Sequence, residues 1–109
     1  MKEIKAVIQP RRLSRLRSAF RQMKAFPGMT VVHAEGCSYH EESEVNREIL
    51  CELTEFSPKV RIEIIAPDEK VDEILGIIHE IVHTGQKGDG IVWVTDVTVF
   101  RRLRHTCDS

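Results

Sequence analysis

Ile4, Ala6 and Ile8 alternate with Glu3, Lys5, Val7 and Gln9, a period of two that predicts a strand over residues 2–9. Pro10 stops it. From Arg12 to Lys24 the period changes. Leu13, Leu16, Phe20 and Met23 recur every three or four residues, which puts them on one stripe of a helix. Phe26-Pro27-Gly28 is a turn, and Met29–Glu35, with Thr30, Val31 and Val32, predicts a second strand that Gly36 ends. A third strand is expected over Val60–Ala66, where Val60, Ile62 and Ile64 face away from Arg61, Glu63 and Ile65. Pro67 closes it. Asp68 suits a helix N-cap, and Val71, Ile74, Leu75, Ile77, Ile78, Ile81 and Val82 give the helix that follows, to about His83, a wide apolar face for a sheet. Gly76 inside it implies close packing, since glycine costs about 1 kcal/mol there against alanine. A fourth strand is expected from Ile91 through Phe100.

The order is β-α-β, a long connection, then β-α-β. Two such halves make a split βαβ sheet with both helices on one face, the α+β ferredoxin-like arrangement, in a single domain over residues 1–109. The other sheet face would carry Val7, Val32, Ile65 and Trp93, too much apolar surface to leave in water, and a partner subunit is the simplest cover.

Between the second helix and the last strand lies Thr84-Gly85-Gln86-Lys87-Gly88-Asp89-Gly90. Three glycines in seven residues give backbone freedom at three points, and such a loop can turn several N–H groups toward one anion. On its own the loop also reads as Gly85 at a helix C-cap followed by a tight turn. The Walker spacing is absent. The connection Cys37–Ser57 shows no strand alternation and carries Glu41, Glu42, Glu44, Glu48, Glu52 and Glu55; a short helix over Val45–Leu53, capped by Ser43, fits inside it.

Charge changes the picture only locally. The net charge is −1, which gives the whole molecule no footprint for nucleic acid. The six basic residues Arg11, Arg12, Arg15, Arg17, Arg21 and Lys24 could dock an acidic partner, although a solvated face of snorkelling arginines explains them as well. No apolar run approaches the ~20 residues of a membrane span, and Met1-Lys2-Glu3-Ile4 lacks the apolar core of a secretory leader. Cys37, Cys51 and Cys107 are odd in number and widely spaced, which speaks for free thiols in a reducing, cytoplasmic compartment and leaves a redox role open.

Taken in order, five segments resemble the P-II signal-transduction (nitrogen regulatory) family: Met1–Pro10, Pro27-Gly28-Met29-Thr30-Val31, Pro58–Ile64, Thr84–Gly90 and Arg102-Leu103-Arg104. Nearly the whole chain is covered. The resemblance implies a P-II-type homotrimer that binds ATP or ADP in three clefts between subunits, with Mg²⁺ as a companion ion, no redox cofactor and no catalysis. It implies control of a partner transporter or enzyme through the 37–57 loop, without nucleic acid and without membrane insertion. Carried over by position, Thr30, Gly36 and Ile65 would surround adenine and ribose. Gly88, Asp89 and Gly90 would offer amides to the phosphates from the 84–90 loop, Lys59 would meet phosphate charge, and Arg102 and Arg104, in the basic 101–109 tail, would come from the neighbouring subunit. Cys37, Ser38 and Lys87 complete the candidate set.

The departures from the family are specific. Ile91 stands where many members have a basic residue, and Ser38-Tyr39-His40 replaces Gly-Arg-Gln, whose glutamine helps hold Mg²⁺ and 2-oxoglutarate. Glu52 occupies the position of the tyrosine that enteric members modify, and the long loop is acidic rather than basic. Gln9-Pro10-Arg11-Arg12-Leu13-Ser14 and Phe26-Pro27-Gly28 are most similar to a divergent subgroup linked to ion transport and metal efflux. An alternative is therefore a metal-responsive trimer, with His79 and His83 one helical turn apart as ligands and His33, His40, Cys37 and Cys51 as further candidates. An enzyme is not expected. Asp89 in a nucleotide cleft is the one carboxylate suited to slow hydrolysis, and no nucleophile–base pair accompanies it.

Overall fold

The computed structural model describes residues 1–37, 56–86 and 88–104. Strand β1 runs Lys2–Ile8, helix α1 Leu13–Gln22, β2 Thr30–Gly36, β3 Ser57–Ala66, helix α2 Val71–Val82 and β4 Gly90–Asp96. One turn of 3-10 helix precedes each α-helix, Pro10–Arg12 before α1 and Asp68–Lys70 before α2. The sheet order is β2-β3-β1-β4 with every neighbouring pair antiparallel, which is the expected split βαβ arrangement.

The period-two pattern decides what faces the helices. Ile4, Ala6 and Ile8 of β1 and Val60, Ile62, Ile64 and Ala66 of β3 are buried under Leu16 and Phe20 of α1 and Ile74, Ile78 and Val82 of α2. These side chains leave water together, at roughly 1.5–3 kcal/mol for each large one, and that burial fixes the register of the two central strands. Phe20 also stacks on Phe26 with ring centroids 4.4 Å apart, which anchors the turn into β2.

The open face carries Val7, Val32 and Ile65, half-buried, and Trp93, exposed. It is more mixed than its apolar positions imply, because Glu3 pairs with Lys5 at 3.7 Å and Arg61 with Glu63 at 3.1 Å on the same side. Strand β4 is exposed on both faces, with Ile91 at 65% and Val92 and Val94 uncovered on the helix side as well.

Four local expectations are corrected. Asp68 is not a cap: its carboxylate lies 3.0 Å from the N-terminal amine of Met1, and neither the 3-10 turn nor α2 has a side-chain cap. Helix α2 stops because His83 is extended (φ −70°, ψ 126°), one residue before Thr84 and two before Gly85. Gly76 is exposed, and a Cβ built on it meets nothing within 4 Å, so its cost in helix propensity is not repaid by close packing among the described residues. The last strand ends at Asp96 rather than Phe100; Val97 donates its N–H to the Met1 carbonyl at 3.1 Å, and the chain then leaves the sheet.

Candidate functional site

The 84–90 loop is held by one carboxylate. Asp89 accepts from the Thr84 N–H at 2.7 Å, from the Gly85 N–H at 3.0 Å and from the Thr84 hydroxyl, and His83 Nδ1 lies 3.7 Å away. The Thr84 hydroxyl in turn accepts from Gln86 N–H at 3.2 Å. Gly85, Gly88 and Gly90 all have positive φ, which lets so short a loop reverse direction between α2 and β4. The side chain of Asp89 is thereby committed to the loop. What the loop can offer an anion is backbone, not a carboxylate base.

The Thr84 hydroxyl, the N–H groups of Thr84 and Gly85, and the His83 charge hold the Asp89 carboxyl below the usual carboxylate range. The folded pKa is the lower one. The loop's share of stability is therefore present above the ordinary aspartate range and is lost as pH falls through the folded value. On acidification below about pH 4, the Thr84 and Gly85 amide resonances are expected to shift together, and Asp89→Asn is expected to abolish that joint transition.

A second clamp was not legible from the sequence. Gln9, just past β1, donates from Nε2 to the Gly88 carbonyl at 2.7 Å. Register places Ile8 beside both Val60 and Gly90, so Gln9 emerges next to the loop. Its position at a strand end before Pro10 was the available signal; which side it turns to was not.

Lys59 is on the neighbouring strand at this same end. It is 9% exposed, and among the described residues no carboxylate pairs with it. Its stem crosses Gly36, where an added Cβ would sit 3.1 Å from Lys59 Cγ. The burial is that of the stem, and an incoming anion would give the ammonium at its end a partner.

The predicted site residues fall into two groups. Gly36, Cys37, Lys59, Gly88, Asp89 and Gly90 gather at one end of the sheet, past the Ile8–Val60 and Ile8–Gly90 pairs. Ile65 pairs with Glu3, near the opposite end, where the Lys2–Ala66 and Lys2–Asp96 pairs close the sheet, and Thr30 pairs with Glu63, level with Lys5 and Trp93 in the middle of the sheet. Six residue steps along β2 separate Thr30 from Gly36, about 20 Å at a strand's rise. Arg102 and Arg104 follow β4 out of that second end; both are exposed, and Arg102 lies 5.3 Å from the Phe100 ring centroid. One protomer therefore does not bring Thr30 and Ile65 to Gly36. Ser38, Lys87, His40, Tyr39, Cys51, Glu52, Cys107, the Ser43 cap and the Val45–Leu53 helix lie outside the described residues.

Cys37 is disulfide-bonded, its partner lying outside the described residues, which corrects the expectation of free thiols. Disulfide pairing follows spatial proximity rather than sequence spacing, and the fold determines it. His79 and His83 stack at 4.7 Å between ring centroids and line a hollow of about 120 Å³ with Ile8, Val82 and Ile91. They are two ligands at most. The nearby carboxylate, Asp89, is already bonded, and His33 is on β2 beside Val60. No group of three or more His, Cys, Asp or Glu able to hold a metal occurs among the described residues.

The family sequence model described as nitrogen regulatory protein P-II matches residues 1–106. The chain is 36% identical to nitrogen regulatory protein P-II 1 of Escherichia coli (strain K12) over 107 residues, 95% of this chain and 92% of the relative. Over the same shares it is 34% identical to nitrogen regulatory protein P-II of Azospirillum brasilense and 36% to that of Pasteurella multocida. The fold and the loop thus define a P-II-type regulator, and the chain belongs to the P-II nitrogen regulatory protein family. Its role is regulatory signalling. No helix among the described residues is long and apolar enough to cross a membrane.

Proposed function

We propose that the chain is a nucleotide-responsive regulator: a homotrimer that binds ATP or ADP between subunits and controls a transporter or enzyme through its 37–57 loop. The observation that carries this reading is the division of the site. The glycine loop, Gly36 and Lys59 stand at one end of the sheet, whereas Thr30 lies a strand's length from Gly36, Ile65 is near the far end, and Arg102 and Arg104 follow β4 out of that far end. Two ends of one protomer cannot enclose one ligand, whereas the end of one copy set against the opposite end of the next can. The exposed apolar strand β4 supplies a surface for such an assembly.

The donor set suits a polyphosphate. Lys59 supplies a cation on a stem fixed against Gly36, the glycine loop supplies main-chain N–H groups, and Arg102 and Arg104 supply planar guanidinium forks for phosphate oxygens. Mg²⁺ would accompany the nucleotide; bound nucleotide supplies the charge that biases the 37–57 loop toward one arrangement, and the partner reads that arrangement. The metal-responsive alternative has less support, since His79 and His83 have no third ligand free among the described residues.

Isothermal titration calorimetry with ATP, ADP and AMP, each with and without Mg²⁺ and 2-oxoglutarate, tests the reading. Saturable binding of one adenine nucleotide per subunit is expected. No heat with any of the three would discard it.

A further inference from the structure

Helix α1 has a surface that neither the fold nor the candidate cleft accounts for. Between Glu3 and Glu35 the chain carries no acid and seven Lys or Arg. Arg11, Arg15, Arg17, Arg21 and Lys24 are exposed, and none of the α1 arginines joins an ion pair among the described residues. The first turn of α1 has no acidic residue and follows Arg11 and Arg12, so cations sit at the positive end of the helix dipole. Arg17 and Arg21 are one turn apart and repel each other. The contrast is within the same layer: α2 carries Asp72 and Glu73 in its first turn, as the dipole favours. On α1 the sequence gives up stability that it keeps on α2.

The basic face also has an apolar recess. Arg17 and Arg21 rim a hollow of about 330 Å³ whose floor is Phe20, Met23, Phe26 and Met29. Phe20 and Met23 belong to the core, and the stacked Phe20–Phe26 pair keeps the floor in place. Methionines adapt to varied apolar shapes, and arginine forks grip carboxylates in pairs. The recess has room for one large apolar side chain with carboxylates on either side of it.

We propose that this recess is a second docking surface, separate from the nucleotide cleft and the 37–57 loop, for an acidic segment of a partner protein bearing one apolar anchor. The neighbouring surface chooses this occupant over a long polyanion or an anionic bilayer. Beside α1, helix α2 presents Asp72, Glu73 and Glu80, all exposed, and Asp68 and Glu69 precede it. That acidic flank would repel an extended duplex or a flat anionic membrane, and it leaves a basic patch only as long as one helix. The apolar floor rewards a side chain, which a nucleic-acid backbone does not offer.

The probe is a short fluorescein-labelled peptide of glutamates around a central leucine, read by fluorescence anisotropy on the full chain. Saturable binding is expected that weakens as salt rises, because exposed ion pairs are screened. A peptide with serine in place of leucine is expected to bind more weakly. The double variant Arg17→Glu with Arg21→Glu is expected to bind about tenfold more weakly or worse, the equivalent of one lost charge-assisted contact. Both positions are exposed, so its circular dichroism and nucleotide titration should match those of the parent. Equal binding by the double variant would overturn the assignment. So would capture by phosphatidylserine vesicles without peptide binding, which would assign the face to lipid. Salt-sensitive self-association that Arg17→Glu with Arg21→Glu abolishes, without peptide binding, would assign it instead to the acidic loop of another copy.

Discussion

Replacing Gly90 with alanine is expected to cost more than about 4 kcal/mol, a range reserved for specific steric or electrostatic failures. Gly90 has φ +123°, a region that side chains rarely tolerate. A Cβ there would sit 2.1 Å from the Val7 carbonyl oxygen and 3.2 Å from its carbon. Both atoms are backbone of the central strand β1, so neither can swing away. Relief requires β1 and β4 to part at the Ile8–Gly90 pair, which also removes the seat of the glycine loop. A domain of this size has about 5–15 kcal/mol of stability in total, so the variant should yield little folded protein. Two controls separate this from a general intolerance to alanine. At Gly88 the nearest atom to an added Cβ is Gln9 Nε2 at 3.0 Å, the mobile end of a side chain, so Gly88→Ala should lose the backbone preference, about 1–2 kcal/mol, and weaken the Gln9 clamp, with no backbone clash. At Gly76 there is open space, and Gly76→Ala should be neutral or stabilising by up to about 1 kcal/mol. Urea unfolding of the three variants measures the order directly. A Gly90→Ala protein as stable as the parent would mean that β4 does not lie on β1 in this register.

That order could not be read from the sequence, although the loop itself could. Periodicity and β-branched runs located all four strands and both helices; the two central strands and the helices each have a face that leaves water, whereas β4 is exposed on both faces. Periodicity placed Ile4, Ala6 and Ile8, and Val60, Ile62 and Ile64, on the buried side, where they are found. Ends were less legible. The 57–60 start of β3 and the stop of β4 at Asp96 depend on which neighbour supplies a hydrogen-bonding edge, and that is a tertiary fact. Asp68 has the chemistry of a cap but found the N-terminal amine instead, since a full charge nearby outcompetes a weaker backbone donor. Ala25 takes φ +57° after α1 with nothing in its side chain to announce it. The candidate site divides in the same way. Motif order supplied its members, including Lys59 and the three glycines, but the roles came from geometry: Asp89 holds the loop, Gln9 locks it, and Thr30 lies a strand's length from Gly36.

On the proposed function, that separation would make nucleotide binding a property of the assembly, and subunit mixing tests it. Lys59→Gln removes the cation from one end of the sheet. Arg102→Gln with Arg104→Gln removes the guanidinium pair from the other. Each set of contacts to a charged ligand is worth about 1.5–3 kcal/mol or more, so either homotrimer should bind ATP about tenfold more weakly or worse. Both variants keep the core intact, since Lys59 is held at the sheet's end by its stem and the two arginines are outside the sheet. Neither should restore the other if a site lies within one subunit. If each site joins the first end of one subunit to the second end of the next, the outcome differs. Unfolding the two variants together and refolding them at equal amounts gives trimers in which about a quarter of the clefts pair two unaltered ends, from the closed symmetry of the ring. Calorimetry should then show that fraction of sites at the parent affinity, with the rest weak. Restoration cannot arise from altered stability, because both variants are present in the unmixed controls. Absence of any high-affinity fraction, in mixtures shown by mass spectrometry to contain mixed trimers, would place the ligand inside a single subunit and remove the argument for a shared cleft.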